Sequence, residues 1–139
     1  MPGLDVSASA AIRTDIFHKL IGNMAGNCVS ALTHATAKEM YDDLPVRKVT
    51  ADMVAEGIAV AARFGIAIPG TVEERLSAMS RLGDFRSSTL QDVERRRPLE
   101  VDGLIRVVQE LARKVGVATP TIDVVAALIA QRAKTLLRG

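Results

Sequence analysis

The sequence contains seven stretches in which apolar residues recur every three to four positions, separated by short breaks that hold Gly or Pro. Apolar residues at that spacing line up along one face of an α-helix. The pattern predicts helices over residues 14–35, 37–42, 46–64, 71–82, 87–96, 104–115 and 120–137. No stretch shows the sustained two-residue alternation of a half-buried strand. We therefore expect an all-α protein with about seven helices in one bundle-like domain.

Residues at the ends of these stretches fit helix boundaries. Gly65, Gly83 and Gly116 each follow a predicted helix, where glycine readily adopts the left-handed conformation that ends it. Thr71 and Glu74 have the spacing of a capping box, which predicts a helix start. These signals support the division into helices.

The first eleven residues are small and polar with an early Pro and Gly, which is typical of a flexible lead. The chain has 139 residues, the length of one domain, so residues 12–139 are expected to form that domain. Hydrophobic residues make up 48% of the chain, enough to fill a core. The chain has no Trp and only four Phe or Tyr residues, so Ala, Val, Ile, Leu and Met must form that core, which favours packed helices.

Charge and cysteine content argue against several classes of partner. Lys and Arg number 18 against 16 Asp and Glu, and a net charge of +2 is too small to indicate nucleic acid. The most apolar run, residues 124–130, is far shorter than the roughly 20 residues that span a bilayer, so no membrane is expected. Cys28 is the only cysteine, which fits a reducing compartment and predicts a cytoplasmic protein. His18 and His34 lack companions at metal-ligand spacing, so no metal site is expected.

One edge of the first predicted helix carries an unusual set of residues. At about 100° per residue, the following positions fall beside the apolar arc: Lys19, Asn23, Asn27, Ser30 and His34, bordered by Gly22 and Gly26. Asn and Gly each destabilise a helix by about 0.5–1 kcal/mol relative to Ala. Asn side chains both donate and accept hydrogen bonds, so they can bind hydroxyls or a carboxylate of a small ligand. The alternative is a solvated face whose glycines allow close helix packing.

A second group of polar residues follows between Ser87 and Asp102. Glu100 comes two residues after Pro98, on a bend between helices that would hold its carboxylate rigidly, although a single glutamate of this kind is more often a surface acid. Ser87 or Ser88 is predicted to cap the helix that follows, and Ser88 is alternatively a ligand-binding hydroxyl. The three arginines at 95–97 suit either a phosphate contact or a solvated helix end.

The order and spacing of these residues resemble a known family. The segments that carry the resemblance are 19–27, 30–33, 87–88, 91–92, 100–102 and the Gly-to-Pro corner at 116–120. Together they are similar to the helical C-terminal domain of the ketopantoate reductases, also called 2-dehydropantoate 2-reductases. The resemblance runs from about residue 12 to the end of the chain. It implies a C-terminal domain of the 6-phosphogluconate-dehydrogenase type.

The resemblance also implies an activity, the NADPH-dependent reduction of ketopantoate to pantoate in pantothenate and coenzyme A biosynthesis. Lys19 matches the family's general acid, which donates a proton to the developing alkoxide. Glu100 matches the active-site glutamate that helps to hold the lysine and the substrate. Asn23, Asn27 and Ser88 match positions that bind the small-molecule 2-keto acid.

Three departures from the family pattern leave a related 2-keto acid open as the substrate. Ala37 stands where a further substrate-contacting Asn is common, Ile105 and Arg106 replace an Asn-Gly pair, and Thr89 replaces a common Met. Losing one amide partner for a substrate hydroxyl can change specificity strongly.

A further departure concerns the cofactor. None of the ten glycines forms the Gly-x-Gly-x-x-Gly turn that binds a dinucleotide, so the nucleotide-binding domain is absent from this sequence. We expect the chain alone to be inactive. It is a fragment, a natural stand-alone domain that works with a separate nucleotide-binding domain or chain, or a relic reused for assembly. Separation from such a partner would expose apolar surface, which predicts a homo-oligomer. The alternative function is a stand-alone helical oligomerisation or interaction module without catalysis.

Overall fold

Seven α-helices and one π-helical turn form the protein, seen in a computed structural model that describes residues 2–138, with side chains from residue 10 onward. The helices are α1 (Pro2–Thr33), α2 (Ala37–Asp42), α3 (Leu44–Arg63), α4 (Val72–Ser80), α5 (Ser88–Glu94), α6 (Val107–Val115) and α7 (Pro120–Leu136), and the π turn is Asp102–Arg106. Residues 2–138 contain no strand. The predicted all-α architecture is confirmed.

Helix α1 is the centre of the structure. It packs against α2, α3, α5, α7 and the π turn. Its apolar arc is buried as predicted, with Ile21, Met24, Cys28 and Ala31 at most 1% exposed. Each large apolar side chain buried in this way stabilises the fold by roughly 1.5–3 kcal/mol. The packing of α1 therefore fixes the position of its polar edge.

A glycine lets α3 approach α1 closely. An ideal Cβ at Gly57 would lie 3.0 Å from Cγ1 and 3.3 Å from Cγ2 of Ile21. Ile21 is itself buried and β-branched, so it has little freedom to move away. The contact between the two longest helices depends on this missing methyl group.

Most predicted helix ends are close to the observed ones. Gly65, Gly83 and Gly116 have φ values of +75°, +63° and +69°, the left-handed conformation expected of them. Helix α4 ends at Ser80 rather than 82, and α5 ends at Glu94 rather than 96. Arg96 has φ +54°, which a right-handed helix cannot include.

Helix α1 begins at Pro2, well before residue 14, where the apolar pattern predicts its start. It ends at Thr33 because His34 has φ +60° and leaves the helical conformation. The flexible lead over residues 1–11 stays a prediction.

The sequence does not decide whether Ser87 or Ser88 caps α5. In the structure, Ser87 is the N-cap. Its hydroxyl accepts the backbone N–H of Leu90 at 3.1 Å. Ser88 is thereby the first residue of the helix, and its hydroxyl is free for other contacts.

A π-helical turn precedes α6 where the periodicity predicts the start of an ordinary helix at residue 104. Asp102–Arg106 form this turn, which follows Val101 directly and continues into Val107. Short π segments inside helices are uncommon and are often found at functional sites. This one comes two residues after Glu100.

Helix α7 has a cap that comes from a distant part of the chain. The Thr119 side chain caps no backbone N–H of α7, and its hydroxyl donates to Oδ1 of Asp123 at 3.0 Å. The two carboxylate oxygens of Glu56, on α3, instead accept the backbone N–H groups of Thr121 and Ile122, each at 3.0 Å. A carboxylate at a helix N-terminus is favoured by both the unpaired N–H groups and the helix dipole. Glu56 thus joins α3 to α7.

We predict that Glu56→Ala lowers the free energy of unfolding by about 1–3 kcal/mol, because it removes two charge-assisted hydrogen bonds and leaves two backbone N–H groups unpaired. Urea denaturation measures this loss. Asp52→Ala is the matched control on α3, since Asp52 makes only a partly exposed pair with Lys48 and should cost no more than about 0.5 kcal/mol. Equal losses in the two variants would contradict the capping role.

Candidate functional site

The polar edge of α1 opens into a pocket shared with α5 and the π turn. This pocket, here called the Asn27 pocket, has a volume of about 280 Å³. Its lining residues are Asn23, Asn27, Ser88, Thr89, Asp92, Glu100, Gly103 and Leu104. Four of the five predicted site residues are therefore brought together, although 77 positions separate Asn23 from Glu100 (100 − 23).

The fifth predicted residue, Lys19, lies in an adjoining cavity. This cavity, here called the Lys19 groove, has a volume of about 410 Å³. Its lining residues are His18, Lys19, Gly22, Asn23, Val54, Pro69, Gly70, Glu74, Arg75, Ala78 and Met79. Lys19 and Glu100 do not line the same cavity, and Asn23 belongs to both. Asn23 is thus the junction of the site.

The helical repeat explains this row of side chains. Lys19, Asn23 and Asn27 are spaced four residues apart, so they project from successive turns of α1 about 6 Å apart along its axis. The apolar arc beside them is buried in the core, which turns the row toward the cavities.

Two buried hydroxyls hold α5 against α1. The Oγ atoms of Ser30 and Ser87 lie 2.5 Å apart and share a hydrogen bond. Ser87 also caps α5, so the first turn of that helix is fixed beside α1. This contact places Ser88 beside Asn27 in the pocket. Ser30, assigned by sequence to the polar edge, is a buried positioning residue rather than an exposed one.

Glu100 is exposed just before the π turn, and its side chain lies beside Gly103. An ideal Cβ at Gly103 would lie 3.6 Å from Cγ and 3.8 Å from Oε1 of Glu100. Both residues line the Asn27 pocket.

The two glycines of the polar edge have different surroundings. An ideal Cβ at Gly26 would lie 3.1 Å from Cε of Met79 and 3.4 Å from the Tyr41 hydroxyl, so Gly26 allows close packing. A Cβ at Gly22 would meet nothing within 4 Å, and Gly22 lines the Lys19 groove. Close packing therefore explains why residue 26 is a glycine. No neighbour requires a glycine at residue 22, which faces the open groove.

Other candidates from the sequence lie outside both cavities. His34 is exposed after the end of α1, and Arg95 and Arg96 are exposed after α5. Arg97 contacts the site indirectly, because its Nη2 lies 2.8 Å from Oδ1 of Asp92.

Sequence reasoning missed the contribution of α4 to the Lys19 groove. Thr71 accepts the N–H of Glu74 at 3.1 Å, as a helix cap should. The Glu74 side chain lines the groove, however, and the reciprocal half of the predicted capping box is not formed. Arg75 carries no local signal, because only the packing of α4 beside α1 brings it to the groove. A complete capping box is found at the start of α2, where Thr36 and Glu39 have the same three-residue spacing.

Neither the thiol nor the phenol near the site is ionised at neutral pH. Burial raises the pKa of Cys28 to about 12. Burial likewise raises the pKa of Tyr41 to about 12, and its hydroxyl donates to the Sδ of Met79 at 3.2 Å.

In the described part of the chain, no cluster of three His, Cys, Asp or Glu side chains is placed to hold a metal ion. Over the same residues, no helix is both long and apolar enough to cross a membrane. The ionisable side chains that line the two cavities are His18, Lys19, Glu74, Arg75, Asp92 and Glu100.

We predict that Gly22→Ala raises the free energy of unfolding by about 1 kcal/mol, since Ala is the better helix former and the added methyl group meets no neighbour. Gly57→Ala should lower it by about 1–3 kcal/mol, since its Cβ overlaps Ile21. Thermal and urea unfolding of both variants give the comparison. Destabilisation by Gly22→Ala would show that packing requires this glycine after all.

Comparison with known proteins identifies the family of the chain. The family model described as ketopantoate reductase PanE/ApbA C terminal matches residues 11–133. A 2-dehydropantoate 2-reductase from Mesorhizobium japonicum is 39% identical over 127 residues, which cover 91% of this chain and 39% of that protein. The chain thus spans well under half the length of this relative.

Solved structures give the same result. A crystal structure ascribed to a ketopantoate reductase of Ralstonia solanacearum MolK2 is 41% identical, with a TM-score of 0.83 over 89% of this chain and 37% of that one. The ternary structure of D-mandelate dehydrogenase with NADH and anilino(oxo)acetate shares the fold at 24% identity, with a TM-score of 0.79 over 88% of this chain and 52% of that one. The resemblance found in the sequence is confirmed: the chain belongs to the ketopantoate reductase C-terminal domain family.

Proposed function

We propose that this chain is the substrate-binding and catalytic half of an NADPH-dependent reductase that converts ketopantoate, or a related 2-keto acid, to the 2-hydroxy acid. The observation that carries the proposal is the junction at Asn23, where the Lys19 groove meets the Asn27 pocket. One cavity offers a proton donor and the other offers amide, hydroxyl and carboxylate groups. A small, polar keto acid needs both.

Lys19 is proposed as the general acid. Its ammonium group donates a proton to the keto oxygen as that oxygen gains negative charge, and the neutral amine regains a proton from solvent. The side chain is exposed and lines the open groove, so solvent can reach it. The nicotinamide cofactor would supply the hydride to the keto carbon.

Asn23, Asn27 and Ser88 are proposed to bind the rest of the substrate. Their amide and hydroxyl groups both donate and accept, which suits the hydroxyl of a 2-keto acid such as ketopantoate. Glu100 lines the Asn27 pocket and not the Lys19 groove, so we assign its carboxylate to accept a hydrogen bond from the substrate rather than to hold Lys19.

The described residues do not fit the nucleotide part of the cofactor. The helices that border the cavities offer no glycine-rich turn after a strand, which is where a dinucleotide pyrophosphate binds. We therefore propose that a separate nucleotide-binding domain holds NADPH and that the chain alone is not competent. The single buried cysteine and the small net charge support a cytoplasmic enzyme whose ligand is a small molecule.

The test is turnover of ketopantoate by the full chain combined with the nucleotide-binding domain of a related reductase. Lys19→Ala should lower kcat by roughly 100-fold, the scale for losing a general acid. Asn27→Ala should mainly raise KM. NADPH oxidation measures both variants.

Lys48→Ala is the matched control, because Lys48 is an exposed lysine on α3 that pairs with Asp52 away from both cavities. It should leave kcat and KM unchanged. Unchanged turnover in Lys19→Ala would contradict the catalytic assignment and favour the alternative of a helical interaction module.

We also propose that the chain forms a homo-oligomer through exposed apolar side chains. Ile12 and Ile16, one turn apart on α1, are 58% and 57% exposed. Val124 and Leu128, one turn apart on α7, are 61% and 53% exposed. Large exposed apolar patches are typical of protein–protein interfaces, and these pairs are the contacts that we propose. Light scattering at tens of micromolar should give a mass above 14.9 kDa, and Ile16→Asp should reduce it. A monomer would contradict this expectation.

A further inference from the structure

The Lys19 groove contains a second cation to which the proposed chemistry gives no role. Arg75, on α4, is half-buried, and its guanidinium donates to the main-chain carbonyls of Pro69 and His18, each at 3.4 Å. A guanidinium has five N–H donors, so two long bonds to carbonyls leave donors available toward the groove.

Arg75 has no carboxylate partner among the described residues. Arg47, which is also half-buried, pairs with Glu73 on the same helix as Arg75. Burial lowers the pKa of the Arg75 guanidinium, which reflects the cost of keeping the charge partly out of water. Such a cation is stabilised most by an anion that accepts two parallel N–H bonds, as a carboxylate does.

The balance of charge in the groove also favours an anion. Lys19 and Arg75 are the fixed cations that line it, and Glu74 is the only carboxylate among its described lining residues. Oε2 of Glu74 lies toward Gly70, 3.2 Å from the position of an ideal Cβ there. Lys19, Arg75 and Glu74 together carry one net positive charge, which a ligand with a single negative charge would balance.

We propose that Arg75 binds the carboxylate of the 2-keto acid, an inference that rests on the proposed function. The carboxylate carbon of such a substrate is bonded directly to its keto carbon, so the side chains that receive the two groups must face one cavity. Lys19 and Arg75 do so. The rest of the substrate then extends past Asn23 into the Asn27 pocket, which fixes its orientation.

The experiment is a titration of the full chain with pyruvate, pyruvamide or inorganic phosphate, followed by ¹⁵N NMR at the Arg75 Nε–H group. Pyruvate should give a saturable shift, and pyruvamide, which has no charge, should give none. Arg75→Met should weaken pyruvate binding at least tenfold, read from the backbone amides of Gly22 and Gly70. Arg81→Met is the matched control at the exposed end of α4 and should leave binding unchanged.

Equal shifts with pyruvate and pyruvamide would overturn the proposal, and so would equal losses in the two variants. Tighter binding of phosphate than of pyruvate would overturn the assignment to a substrate carboxylate. The contrast between pyruvate and pyruvamide is measured on the unmodified chain, so it does not depend on how well a variant folds. If Arg75 responds to pyruvate while Lys19→Ala leaves turnover unchanged, the proposed function fails and the anion site stands.

Discussion

The burial of one face of α1 is the constraint on which the site depends. Ile21, Met24 and Cys28 are buried in the core, so α1 cannot rotate its polar edge away from the cavities. Because the core is close-packed, the positions of Lys19, Asn23 and Asn27 are set without any contact to one another. The same helix is the main element of the core and one wall of both cavities.

The second wall consists of short segments that have little stability of their own. Helix α5 has seven residues, too few to be stable alone, and it is held by the hydrogen bond between Ser30 and Ser87. The π turn follows it and packs on α1 and α6. The site therefore combines one rigid helix with segments that it positions, the arrangement that a preorganised polar pocket requires.

Local pattern was enough to predict the α1 half of the site, because a four-residue spacing on a helix fixes relative direction as soon as the buried face is known. It also gave the all-α fold and the glycine ends at Gly65, Gly83 and Gly116. Local pattern did not predict the π turn, the cap that Glu56 provides for α7, or the place of Arg75. Each of these depends on contacts between helices that are far apart in sequence. Glu74 shows the limit clearly: its spacing from Thr71 indicates a capping box, but its side chain lines the groove and does not complete the box.

The central claim is that one ligand contacts both asparagines of α1, and the chain offers a direct measurement because Asn23 and Asn27 are its only asparagines. Labelling with [¹⁵N]asparagine gives two side-chain amide signals, both from the site. On titration of the full chain with ketopantoate, we expect both signals to shift with the same dissociation constant, and Ser88→Ala to weaken that constant for both. If ketopantoate leaves the two signals unmoved, or moves them with unrelated constants, the junction at Asn23 is not a substrate site and the account is wrong.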